Sequence, residues 1–203
     1  GGSGSFVSST GLVLTNHHVA SEIIQELSSA DADLIKNGFL AQTQADELPA
    51  KDLELNVLYE IEDVTAKVQA ALKGADTPEA MEKARRAVMS KLEQESLAKT
   101  GLRSDVVTLF RGGAYHLYRY KKYTDVRLVF APELGIAFYG GDSDNFEYPR
   151  TCLDMAFFRV YENGQPVTPK EYLRWAQTPL TEGDLTFVSG HPGRTDRLNT
   201  STD

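Results

Sequence analysis

The sequence has 203 residues, 41% of them hydrophobic, and its 21 Lys+Arg against 29 Asp+Glu give a formal net charge of −8. That balance excludes non-specific nucleic-acid binding, and no apolar run reaches the ~18 residues of a membrane span, so a globular chain with a substantial core is expected. The single cysteine, Cys152, excludes an internal disulfide and the usual structural zinc sites.

The first predicted element is a hairpin: two short apolar runs, around Phe6-Val7 and Leu12-Val13-Leu14, flank the turn Ser9-Thr10-Gly11. From Ala20 onward Ile23, Ile24, Leu27, Leu34 and Ile35 suggest short helices, broken at Asn37-Gly38. Leu53, Leu55, Val57, Tyr59 and Ile61 alternate with mostly polar residues and predict a strand with one buried face. Val64, Val68 and Leu72 recur every fourth residue as a short helix. A long helix is predicted over 77–99: Asp76-Thr77-Pro78-Glu79 offers a cap, a first-turn proline and acid at the positive dipole end, and Gly101 offers the stop.

Strands are then predicted at 104–110, 114–120, 125–131, 136–139, 153–161 and 185–189. Strands, a helical block and strands again indicate a mainly β fold with a helical insertion rather than a parallel α/β sheet. The charges are uneven: residues 20–63 hold eleven Asp/Glu against only Lys36 and Lys51, while Arg119, Lys121, Lys122 and Arg127 cluster later. The simplest expectation is a solvated acidic face and a basic strand edge that discourages edge-to-edge pairing.

The chemistry-bearing residues begin at Thr15-Asn16-His17-His18, where an apolar strand ends in two histidines. Neighbours on a strand point to opposite faces, so at most one of the pair can face a given site. A histidine acting as a general base needs a carboxylate on its other ring nitrogen, to fix the tautomer and stabilise the imidazolium. Asp154, at the head of the apolar run Met155-Ala156-Phe157-Phe158, is the candidate. Four histidines exist (His17, His18, His116, His191), but none has metal-ligand spacing, so no metal site and no cofactor are expected.

The segment Gly11-Leu12-Val13-Leu14-Thr15-Asn16-His17-His18 resembles the stretch around the catalytic His of trypsin-like peptidases, in which a strand ends in Thr-x-x-His. On that pattern His18, not His17, is the base, and Asp154-Met155-Ala156 fits the Asp-x-Ala of the same superfamily. The 136-residue separation of His18 from Asp154 far exceeds that of ordinary members. It is similar instead to the exopeptidases of the bacterial dipeptidyl-peptidase 7 and 11 type. Two further segments support this likeness: Gly140-Gly141-Asp142-Ser143-Asp144-Asn145-Phe146-Glu147-Tyr148-Pro149-Arg150 and Gly190-His191-Pro192-Gly193-Arg194-Thr195.

The resemblance implies a chymotrypsin-like fold. The first β-barrel would occupy 1–165, with a mixed, largely helical insertion at about 20–100, and the second barrel would begin at 166–203. It implies catalytic His18 and Asp154, and a substrate α-amino group bound by Asn145 beside a pocket wall at Phe146. The expected substrate is an oligopeptide with a free α-amino group, losing a dipeptide. The implied setting is the periplasm, cell surface or secreted space of a Gram-negative bacterium, with a homodimer as one assembly open to the full-length protein.

The sequence departs from the family pattern at Phe146 (usually Trp), Val19 (often Cys) and Cys152 (commonly His). After Asp154 only Ser189 and Ser201 occur, neither in a Gly-x-Ser-Gly turn, so an N-terminal fragment lacking the nucleophile is expected. Two alternatives stay open: a trypsin-like endopeptidase, and an inactive homologue that serves as a peptide-binding module.

Overall fold

A computed structural model of the chain describes residues 2–144, 147–188 and 190. In chain order the elements are β1 (Ser5–Phe6), β2 (Leu12–Thr15), α1 (His17–Leu27), α2 (Leu34–Asn37), β3 (Phe39–Leu40), β4 (Leu48–Pro49) and β5 (Leu55–Asp63). There follow α3 (Thr65–Leu72), α4 (Pro78–Thr100), β6 (Arg103–Leu109), β7 (Ala114–Tyr123), β8 (Asp125–Ala131), α5 (Leu134–Ala137), β9 (Ala156–Glu162) and β10 (Gln165–Pro166). The chain is mainly β with helices, in two compact units: Gly1–Leu53 with Thr124–Asp203, and Glu54–Tyr123. The second unit begins and ends later than the insertion expected at about 20–100. The boundary expected between 165 and 166 falls inside β10.

The first unit is built on an antiparallel sheet in the order β1-β2-β9-β8-β3, with β10 on β9 and β4 on β8. Among the described residues this path is open at both ends rather than closed on itself. Alternation sets its faces: Val126 and Leu128 of β8, Ala156, Phe158 and Val160 of β9 and Val13 of β2 point into the core and are almost fully buried. A bulge at Val129 moves the register from Leu128↔Phe158 to Phe130↔Phe157. Gly11 closes the β1–β2 turn at φ 71°, where a Cβ would lie 2.8 Å from the Val160 carbonyl oxygen.

The next residues along these strands form a buried polar cluster. The Glu47 side chain, 2% exposed, accepts from Arg159 Nε at 2.8 Å and from the Tyr161 hydroxyl at 2.7 Å. Arg159 also donates to the Thr10 carbonyl, and the Arg127 guanidinium lies 3.8 Å from the Tyr161 ring centre. Burial, reinforced by the hydrogen bond to anionic Glu47, pushes the Tyr161 phenol up to about 12.

The second unit is a three-stranded sheet, β5-β7-β6, packed against α3 and α4. Val64, Val68, Val106, Tyr115 and Leu117 form its core, with Val88, Met89 and Leu92 of α4 against them. Thr77 caps α4 by accepting from the Ala80 N–H, and left-handed Gly101 ends it, as the sequence predicts.

Several expectations differ. The strand predicted with one buried face is β5, but a register shift between Leu58 and Glu60 exchanges its faces, leaving Tyr59 71% exposed and Ile61 49% exposed. The basic cluster is not a strand edge: β7 is the central strand of its sheet, and β8 is flanked by β9 on one side and β3 and β4 on the other. Arg119 pairs with Glu60 and Glu62 of β5 and donates to Ser96 of α4, Lys122 pairs with Glu54, and Arg127 pairs with Asp125. Glu54, Glu60 and Glu62 are therefore partners of the later bases Arg119 and Lys122, brought near them by the β5–β7 ladder. Residues 134–137 form a helix rather than part of a strand at 136–139, and no strand forms over 185–188 among the described residues.

Candidate active site

The site lies at one end of the β2–β9 ladder. Thr15 stands opposite Ala156, so residues just after β2 and just before β9 leave the sheet together. His18 follows Thr15 by three positions and Asp154 precedes Ala156 by two. One pairing thus removes a separation of 136 residues. Sequence analysis selected both residues, and the fold brings them into contact.

The strand changes to helix at Asn16, the N-cap of α1. Its side chain makes no cap hydrogen bond to α1. The amide turns instead to Asp154, donating to the backbone carbonyl at 3.1 Å and to Oδ2 at 3.2 Å. The Asp154 carboxylate performs the capping from a distance, since its Oδ1 accepts the His18 backbone N–H at 3.0 Å. No acidic residue lies in the first turn of α1, so Asp154 supplies the negative charge favoured there.

The His18 ring completes the arrangement, with Nδ1 2.6 Å from Asp154 Oδ2. The His18 side chain is 71% exposed and that of Asp154 27%. Burial alone would raise the Asp154 carboxyl. The hydrogen bonds from the His18 backbone and ring, the His18 charge and the Asn16 amide outweigh it, holding the group below its ordinary value. An ionised carboxylate on Nδ1 keeps the proton there and leaves Nε2 as the basic nitrogen. A ring so held can take a proton from a nucleophile and return it to a leaving group.

Asp154 is itself held locally. The Met155 N–H donates to the Leu153 carbonyl at 2.8 Å, and the Leu153 N–H donates to the Ile136 carbonyl at 2.9 Å. Thr15 Oγ1 ties the end of β2 to the Ser3 carbonyl at 2.8 Å. The sequence reading assigned no role to Asn16, although an Asn directly before the first helical residue is a visible N-cap signal.

Asn145 and Phe146 lie outside the described residues, as does His191. Cys152 is half-buried and in no disulfide. Among the described residues no group of three or more His, Cys, Asp or Glu is placed to hold a metal ion, and no helix is long and apolar enough to cross a membrane.

Comparison with known proteins decides the family. The Peptidase S46 family model matches residues 1–203. The chain belongs to the peptidase S46 family. Among S46 relatives, an Asp/Glu-specific dipeptidyl-peptidase of Porphyromonas gingivalis is 34% identical over 220 residues, covering 100% of this chain and 31% of the relative. A dipeptidyl-peptidase 7 of Phocaeicola vulgatus is 33% identical, covering 100% of this chain and 30% of the relative. The crystal structure of Porphyromonas endodontalis DPP11 in complex with substrate superposes with a TM-score of 0.79 at 32% identity, covering 89% of this chain and 29% of that one. The S46 chain described above therefore spans less than a third of the length of these relatives.

Proposed function

We propose that this S46 chain carries the His–Asp half of a serine dipeptidyl-peptidase site, which releases dipeptides from the free N-terminus of oligopeptides. The observation that carries this reading is the 2.6 Å contact of His18 Nδ1 with Asp154, in a ring whose side chain is otherwise open to solvent. The names of the relatives support the reaction class.

On this reading the nucleophilic serine belongs to sequence beyond Asp203. His18 Nε2 takes the proton from its hydroxyl as the oxygen attacks the scissile carbonyl, and Asp154 stabilises the imidazolium that results. The imidazolium then protonates the leaving amine, and the acyl-enzyme is hydrolysed by a water that His18 deprotonates in turn. Asn145 accepts from the substrate α-ammonium through its amide oxygen, which limits cleavage to two residues from the terminus, and Phe146 walls that pocket. The open sheet β1-β2-β9-β8-β3 belongs, in this proposal, to the first barrel of a chymotrypsin-like fold. A His after one strand and an Asp before its ladder partner support that assignment. Export to the periplasm or cell surface, and a homodimer for the whole protein, belong to the same reading.

The test uses the full-length peptidase and dipeptidyl-amide substrates. His18→Ala is expected to abolish hydrolysis, and acetylation of the substrate α-amino group is expected to block it. Hydrolysis surviving in His18→Ala defeats the catalytic assignment, and equal turnover of acetylated substrate defeats the α-amino clamp. A wild-type full-length protein that binds peptide without cleaving it supports the binding-module alternative.

A further inference from the structure

Asn16 does not do what its position suggests. An Asn at the N-cap of a helix ordinarily turns its side-chain oxygen onto an N–H of the first turn, but no such bond forms in α1. The N–H of His18, the second residue of α1, goes to Asp154 Oδ1 instead. With that N–H satisfied by Asp154, the Asn16 amide acts as a donor. Its partners, the Asp154 carbonyl at 3.1 Å and Oδ2 at 3.2 Å, are both acceptors. Only the N–H2 end of the amide can meet two such oxygens, so its orientation is fixed by its neighbours.

The Asp154 carbonyl is available because the chain turns there. The Met155 N–H donates to the Leu153 carbonyl, which closes a tight turn centred on Asp154, and β9 begins only at Ala156. Thr15 facing Ala156 is the last rung of the β2–β9 ladder, and Asn16 is the first residue beyond it. Its amide takes up an acceptor that the ladder does not reach.

The two bonds act together on one side chain. One ties Asn16 to the backbone of Asp154, and the other ties it to the head of the same residue. A donor shared in this way restrains the side-chain torsions between them, because neither oxygen can move without losing the amide. Oδ2 is also the atom that lies 2.6 Å from His18 Nδ1. With Oδ1 on the helix N–H and Oδ2 on the amide, the carboxylate plane is set independently of the imidazole.

We infer that Asn16 is a positioning residue for the His18–Asp154 pair, its amide clamping Asp154 Oδ2 to the Asp154 backbone so that this oxygen stays in line with the His18 ring. The inference deepens the proposed catalytic reading and rests on it for its kinetic consequence. Asn16 is exposed and gives α1 no cap bond, so orientation rather than stability depends on it.

The experiment uses the full-length peptidase and a dipeptidyl-amide substrate. It compares Asn16→Ala, Asn16→Ser, Asp154→Ala and the double variant Asn16→Ala with Asp154→Ala, measuring kcat, KM and Tm. Serine is a good N-cap whose hydroxyl stops one bond short of the amide nitrogen, so it keeps the helix start and cannot span both Asp154 oxygens. A catalytic group misplaced by about 1 Å loses roughly 100-fold, and a carboxylate still held by the helix N–H moves less. Asn16→Ala and Asn16→Ser are therefore each expected to lose about 10-fold in kcat, with KM within about twofold. The Tm of Asn16→Ser is expected to stay within about 2 °C of wild type. In the Asp154→Ala background there is no carboxylate to orient, and Asn16→Ala is expected to change kcat by less than about twofold.

Wild-type kcat in Asn16→Ala and Asn16→Ser overturns the inference. So does a loss of about 10-fold in both backgrounds, the pattern of a residue that acts by a route other than Asp154. A fall in kcat matched by a fall in Tm in both single variants, the pattern of a merely structural residue, also overturns it. Should Asn16→Ala fail to fold, Asn16→Ser, alone and combined with Asp154→Ala, supplies the same comparison. Wild-type hydrolysis in Asp154→Ala brings down the catalytic reading and this inference together. Wild-type kcat in the Asn16 variants beside an impaired Asp154→Ala brings down the inference alone.

Discussion

His18 and Asp154 are joined twice: the ring Nδ1 lies 2.6 Å from Oδ2, and the backbone N–H donates to Oδ1 at 3.0 Å. The backbone contact survives any change of the His18 side chain, so the carboxylate is held in place by the helix end as well as by its ring partner. A capping contact and a tautomer-setting contact share one carboxylate.

Asp154→Asn in the full-length peptidase is expected to keep an acceptor for the helix N–H but to present an amide N–H2 to His18 Nδ1. That selects the wrong tautomer, and kcat is expected to fall by about 10⁴-fold, the scale of such a change in other His–Asp pairs. Steady-state kinetics of the two proteins check this.

Acid stability tests the same carboxylate in a different way. The folded-state pKa of Asp154 is depressed, so its contribution to stability is present above the unfolded value and is lost as pH falls through the folded one. Urea unfolding is expected to find wild type more stable than Asp154→Asn at neutral pH, with the gap closing in acid. A gap independent of pH contradicts the depressed value.

The Glu47 cluster predicts alkaline behaviour. Tyr161 has its pKa raised to about 12, so its stabilisation is present below the ordinary phenol value and is lost as pH rises toward about 12. Tyr161→Phe is expected to flatten the fall in stability over that range. Glu47→Ala, which takes the ion-pair partner from partly buried Arg159 and the acceptor from the Tyr161 hydroxyl, is expected to cost about 3–5 kcal/mol in chemical denaturation.

Gly11→Ala combines a left-handed backbone with a Cβ 2.8 Å from the Val160 carbonyl oxygen and 3.0 Å from that of Val167. A loss of about 1–3 kcal/mol is expected from thermal unfolding. A neutral result means the β1–β2 turn relaxes freely.

Arg119→Ala probes the second unit. It removes the donor to buried Ser96, which also receives the Ser104 hydroxyl, and leaves Glu62 with Lys67 as its remaining ion-pair partner. A cost of about 2–4 kcal/mol is expected from thermal melts, larger than for an exposed ion pair because the Arg119 side chain is only 11% exposed.

Read alone, the sequence determined the local features. Thr77-Pro78 and Gly101 bounded α4 because caps and stops depend on residues a few positions apart. The resemblance of Thr15-Asn16-His17-His18, and of Asp154-Met155-Ala156 just before β9, to the trypsin-like pattern selected His18 and Asp154, because each of those patterns is short enough to be read in one stretch of chain. The β-bulge that turns Tyr59 outward left no mark in the alternating pattern, which reads the same whether or not a register shift intervenes.

Only the tertiary structure decided which distant groups meet. Glu60 and Glu62 of β5 and Glu54 just before it find Arg119 and Lys122 of β7 across the ladder, so part of what reads as two solvated charge runs is a set of ion pairs. Thr15 facing Ala156 closes the 136-residue gap to Asp154, and the start of α1 sends His17 into the core and His18 to solvent. Hydrogen-bond registry and burial depend on the partner strand, and no window of a single chain segment contains its partner.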